Sequence, residues 1–100
     1  MIRIKISKKD NIINNITIKG HSLYDEFGKD IVCASVSSIV ITTINGILNI
    51  YNNSLQYEES DGYLNINILI HNDVIDKLIN NMIDLLKSLE KDYKNNIKIQ

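Results

Sequence analysis

The chain has one cysteine, no proline, a single alanine (Ala34) and a single arginine (Arg3) among its 100 residues. One cysteine excludes an internal disulfide, and a zinc site built from Cys33, His21 and His71 would need carboxylate help, so no metal or cofactor is expected. What remains for Cys33 is thiol chemistry or core packing. No stretch runs 18 apolar residues without a polar interruption, and the opening Met1-Ile-Arg-Ile-Lys-Ile-Ser7 alternates instead of forming the apolar core of a signal peptide. A soluble, cytoplasmic protein is the expectation. Eleven basic against twelve acidic residues give a formal net charge of −1, without the basic excess that drives phosphate binding, so direct nucleic-acid binding is not expected. The scarcity of alanine and arginine beside abundant isoleucine and asparagine reads as an AT-rich coding bias, which lowers the weight of propensity counts.

What is present suffices for one core. At 100 residues and 44% apolar content, residues 1–100 fit a single domain, because two cores would leave each half too small to fold. Ile2, Ile4 and Ile6 alternate with Arg3, Lys5 and Ser7, the period of a half-buried strand. Lys8-Lys9-Asp10-Asn11 carries turn chemistry, and Ile12 to Lys19 resumes a β-branched run, which predicts a hairpin. From Ile31 to about Asn52 the chain is apolar on nearly all sides with small polar residues between, predicting a buried central helix of roughly 33 Å at 1.5 Å per residue. Leu55–Ser60 and Tyr63–Ile70 flank Asp61-Gly62, a pair suited to a type I′ hairpin turn. Asp73 is placed to cap a second helix whose apolar positions Ile75, Leu78, Ile79, Met82, Ile83, Leu86 and Leu89 recur at three and four residues. Asn96 to Gln100 alternates again. The fold class is therefore α+β, in the order β-β-α-β-β-α-(β), with two helices packed on one mostly antiparallel sheet.

The chemistry concentrates between Gly20 and Ser37. Residues 20–29 show no period, with glycines near both ends, and read as an irregular loop. Asp30 stands before the apolar helix and can cap its free N–H groups, which makes Cys33 the third helical residue. A thiol there feels the positive end of the helix dipole, which favours thiolate. His21 lies twelve residues upstream, across a loop long enough to return an imidazole to the sulfur as a Cys–His pair. Each residue has a plainer alternative. Cys33 in Ile31-Val32-Cys33-Ala34 can simply pack, and on chemistry alone the two readings are about even. His21 can be a surface loop histidine. Asp30 is either a cap or a carboxylate orienting His21. Ser37, one turn after Cys33, either reaches the site or bonds the preceding turn's carbonyl, the latter being the default. His71 is a weaker candidate partner, since His71-Asn72-Asp73 reads as a strand-to-helix connection.

Gly20-His21-Ser22 followed by Gly28-Lys29-Asp30-Ile31-Val32-Cys33-Ala34-Ser35-Val36-Ser37 resembles the G-H-A … G-x-D-I-V-C-A-x-x-S signature of the ribosomal-processing cysteine protease family. The length and element order match as well, so the resemblance extends over essentially the whole chain. It implies a cytoplasmic, homodimeric endopeptidase that removes a short N-terminal extension from a large-subunit ribosomal protein, the twenty-seventh in the bacterial numbering. It places the nucleophile on Cys33 and the histidine on His21. It also implies that the loop Ser22 to Lys29 moves over the substrate, with Gly20 as hinge and Gly28 at its far end. Ser22 and Ser35 depart from the alanine, or alanine and glycine, usual at their positions; neither removes a reacting group. Leu23, Tyr24 and Phe27 either contact apolar substrate side chains or anchor the loop to the body. The rival from another class is a non-catalytic ribosome-assembly or peptide-binding module in which Cys33 is buried and inert.

Overall fold

A computed structural model describes residues 1–20 and 31–100. Five strands and two helices follow in the expected order: β1 (Ile2–Lys9), β2 (Ile12–Lys19), α1 (Ile31–Ile50), β3 (Leu55–Ser60), β4 (Tyr63–Ile68), α2 (Asp73–Asp92) and β5 (Ile97–Ile99). The strands form one sheet in the spatial order β3-β4-β2-β1-β5. All neighbours are antiparallel except β5, which returns after α2 to lie parallel to β1. A parallel return needs a long crossover, and α2 provides it.

The alternation in the strands sorts side chains between two faces. Ile2, Ile4, Ile16, Ile18, Ile66 and Ile97 are buried toward the helices. The other face is open and polar, and across it the Asn65 amide donates to Thr17 Oγ1 (2.7 Å) while the Asn15 amide donates to the Oδ1 atoms of Asn65 and Asn67. From above, α1 contributes Val32, Val36, Val40, Ile44 and Ile47, and α2 contributes Ile75, Ile79, Met82, Ile83 and Leu86. The edge strand β5 is tied down by α2, because Ile99 N donates to Glu90 Oε2 at 2.7 Å. That contact occupies a backbone donor on a sheet edge.

Several local expectations are corrected. α1 is buried along one stripe only, and Ala34, Ser38, Thr42 and Gly46 on its other side are exposed. By length and composition α1 is apolar enough to cross a membrane; here its stripe of Val32, Val36, Val40, Ile44 and Ile47 is buried in the core. The helix ends at Ile50, two residues early, with Tyr51 N still donating to Ile47 O. β4 stops at Ile68 because Leu69 and Ile70 turn their N–H groups to Ser54 O (2.8 and 3.2 Å), leaving the ladder. Ser54 is fully buried and its hydroxyl donates to Tyr51 O, which fixes this junction.

The type I′ turn expected at Asp61-Gly62 is not formed, since only Gly62 there has a positive φ (67°). Both central residues must be left-handed in that turn. The pair that satisfies this is Asp10-Asn11 (φ 52° and 66°) in the β1–β2 hairpin. Asn72, not Asp73, caps α2: it has extended backbone, and its Oδ1 accepts from Ile75 N at 2.8 Å. Asp73 is the first helical residue and pairs with Lys77 one turn on. Asn72→Ala is expected to cost about 1 kcal/mol. A thermal melt followed by circular dichroism should then show a midpoint lower by about 4–8 °C, the usual equivalence for a chain of this size.

Candidate active site

Cys33 lies in the first turn of α1, half-buried, with part of its surface against the core. It opens on a cleft of about 200 Å³ between the start of α1 and one end of the sheet. The floor is apolar, from Ile2, Ile18, Val36 and Leu64. The rim is polar, with Ser37 on the helix and Glu59, Ser60, Gly62 and Tyr63 on the β3–β4 hairpin. Gly20 completes the lining at the end of β2.

Gly20 is held there by backbone alone. Its N–H donates to Gly62 O at 2.8 Å, extending the β2–β4 pairing by one residue. Its φ of +93° suits glycine, and a Cβ on it would stand 2.4 Å from Met1 O. The residue bonded to His21 is thus pinned in the same cleft as Cys33. Positive φ at this point sends the chain out of the strand direction, which a side chain would resist.

Ser37 lines the cleft one turn from Cys33. The back-bonding that was its default role is made by other residues of α1: Ser35 Oγ donates to Ile31 O (2.7 Å) and Thr43 Oγ1 to Ile39 O (2.9 Å). His21, Ser22, Leu23, Tyr24, Phe27, Gly28 and Asp30 lie outside the described residues. His71 does not line the cleft. It follows the far end of β4, about 20 Å along a six-residue strand from Tyr63, and its Nδ1 is 2.9 Å from Asp76 Oδ1. Among the described residues no group of three or more His, Cys, Asp and Glu side chains is arranged to hold a metal ion.

The hairpin residues Glu59, Ser60, Gly62 and Tyr63 were not singled out by sequence reasoning. Their only signal is indirect: Asp61-Gly62 marks a turn, and the pairing of Lys19 with Tyr63 brings that turn beside Gly20. A pairing across 44 positions leaves no trace in local periodicity.

The arrangement suits acyl transfer. Cys33 stands at a helix start beside free N–H groups, and a cleft with an apolar floor admits a peptide while limiting water. Comparison with known proteins agrees. The family model described as cysteine protease Prp matches residues 1–98. The ribosomal processing cysteine protease Prp of Staphylococcus aureus (strain Mu50) is 26% identical over 99% of this chain and 97% of its own length. The Bacillus subtilis (strain 168) protein of the same name is 29% identical over 99% and 96%. Among solved structures, the S. aureus protease in complex with a covalently linked product peptide superposes with a TM-score of 0.94 at 26% identity, covering 100% of this chain and 98% of that one.

Proposed function

Because the chain belongs to the cysteine protease Prp family, we propose that it is the endopeptidase that trims the short N-terminal extension of a large-subunit ribosomal protein, the twenty-seventh in the bacterial numbering. The observation that carries this reading is the shared cleft. Cys33, in the first turn of α1, opens on the space that Gly20, bonded to His21, also lines. In the proposed reaction His21 takes the proton of Cys33, and the thiolate attacks the scissile carbonyl. N–H groups at the start of α1 stabilise the oxyanion, and His21 then protonates the leaving amine. Departure of that amine frees the shortened protein, and water then attacks the thioester to release the extension as a carboxylic acid, returning the thiol. Asp30 has two candidate roles, as a cap for α1 or as a carboxylate that orients His21. Leu23, Tyr24 and Phe27, between Ser22 and Gly28, take up apolar substrate side chains, and Ser37 contributes to the polar rim of the cleft.

A peptide as substrate is supported by the S. aureus relative, whose structures carry a substrate peptide and a covalently linked product peptide. A ribosomal origin for the substrate is supported by the S. aureus and B. subtilis relatives, which are ribosomal processing proteases. The same resemblance extends the proposal to a homodimer working in the cytoplasm.

The test is direct. The purified chain and its Cys33→Ala variant are incubated with the host's own precursor ribosomal protein, and products are weighed by mass spectrometry. Wild-type protein is expected to yield a precursor shortened at its N-terminus, and the variant none. An intact precursor with both proteins would sink the peptidase reading in favour of a non-catalytic binding module.

A further inference from the structure

The net charge of −1 averages over a surface on which the signs are separated. Arg3 on β1 is paired in register with Lys98 on β5 at one side and with Lys19 on β2 at the other. All three are exposed and alternate with buried isoleucines, so they project from the open face of the sheet. Neighbours in such a row stand about 5 Å apart, and like charges directly opposite one another are destabilising. Arg3 has one on each flank. Lys5, two residues along β1, adds a fourth cation to the same face. The one carboxylate that the strand pairing puts on this face, among the described residues, is Glu58 on β3, three strands away from Lys5. The two ion pairs among the described residues, His71–Asp76 and Lys77–Asp73, both belong to the start of α2.

The row does not end in another charge. After Lys19 comes Tyr63 on β4, with Lys19 Nζ 5.9 Å from the ring centroid. Two rows further along the strands, Asn67 and Gln56 are paired in register and exposed. A cation row, an aromatic ring beside it and exposed amides on the same surface, the Asn67 oxygen accepting from Asn15, are the parts used to hold a single-stranded nucleic acid: phosphates on the cations, a base on the ring, base edges on the amides. Amides offer both donors and acceptors, which matches bases. An anionic lipid surface or an acidic peptide of Asp and Glu offers no flat base to stack on the Tyr63 ring.

We propose that the open face of the sheet binds single-stranded RNA, with Lys98, Arg3, Lys19 and Lys5 on its phosphates and Tyr63 under a base. The four cations project from the side of the sheet opposite Cys33, and Tyr63 alone also borders its cleft, so RNA binding does not require the peptidase reading. It also supplies a reason for tolerating three adjacent cations, since a bound polyanion offsets their repulsion.

Fluorescence anisotropy of the full chain with a labelled, mixed-sequence RNA of about 12 nucleotides, within the site sizes known for such surfaces, tests it. Three to four phosphate contacts predict a log–log salt slope of about −2 to −3, hence affinity falling about 20- to 50-fold between about 50 and 200 mM salt. The double substitution Arg3→Gln, Lys98→Gln should reduce that slope by about 1.4 and weaken binding about 10-fold or more at the lower salt. Its melting point should stay level or rise, because like-charge neighbours have been removed. Lys5→Gln gives a smaller loss, and the control Lys77→Gln, Lys87→Gln on α2 gives none. Failure to bind RNA at the lower salt overturns the proposal. So does an equal loss in the α2 control, or binding to polyglutamate or phosphatidylglycerol vesicles as tight as to RNA.

Discussion

Replacing His21 by glutamine is expected to lower cleavage of the precursor about 10³-fold or more, the usual loss when one member of a nucleophile–base unit is removed. His71→Gln is expected to leave turnover unchanged. The two histidines separate because of where the chain around them is held. Gly20, bonded to His21, is fixed in the Cys33 cleft by its hydrogen bond to Gly62 O. His71 sits past the other end of β4 with its Nδ1 at Asp76. Steady-state rates on a precursor peptide, with mass spectrometry to locate the cut, measure both. A slow His71→Gln enzyme with a normal melting point would move the base to the wrong end of the sheet and break the proposed mechanism. Glutamine keeps the size and hydrogen-bonding of the ring but cannot carry the proton, so a loss at His21 reports on proton transfer.

The second large effect comes from two identical substitutions with opposite signs. Gly20→Ala puts a Cβ 2.4 Å from Met1 O, a backbone atom that cannot swing aside, at a φ of +93° that alanine resists. Backbone strain and forced displacement together are expected to cost about 3 kcal/mol. At about 4–8 °C per kcal/mol the midpoint should fall by roughly 12–24 °C. Displacing Gly20 also shifts the attachment of His21, so cleavage by the folded fraction should fall as well. Gly46→Ala is the counterpart. Gly46 is exposed within α1, and a Cβ there meets nothing within 4 Å. Alanine is favoured over glycine in a helix interior by about 0.8–1.0 kcal/mol, so this variant should melt about 4–8 °C higher with unchanged activity. Differential scanning calorimetry on the two variants reads both signs. A stable Gly20→Ala protein would mean that the β2–β4 junction is not rigid.

Much of this molecule is visible in one dimension. The alternating isoleucines of β1, the three-and-four spacing of α2 and the long apolar run of α1 each reflect a local geometry, and each element forms where that pattern lies. The errors are local too. They fall where two neighbouring residues compete for one role, as Asn72 and Asp73 do for the cap of α2. They also fall where a distant group diverts the chain, as Ser54 O does to Leu69 and Ile70 at the end of β4. The turn assignment failed for a related reason: Asp61-Gly62 has the composition of a type I′ turn, but the two residues that take up left-handed backbone together are Asp10 and Asn11.

Cys33 at the start of a helix was legible because helix starts are written in the residues beside them. Its environment was not. Glu59, Ser60, Gly62 and Tyr63 reach the cleft only through strand pairing, and Gly20 only through its approach to Met1 and Gly62. The row of Lys98, Arg3 and Lys19 is likewise invisible along the chain, where its members are 16 to 95 positions apart. By itself the sequence determined which segments become strands and helices and, α1 apart, which faces they bury, since those follow from side chains two, three or four residues apart. Which strands lie side by side, which charges meet across them and what walls the cysteine depend on register between distant segments. That register is decided by backbone hydrogen bonds and core packing, and it exists only in the folded sheet.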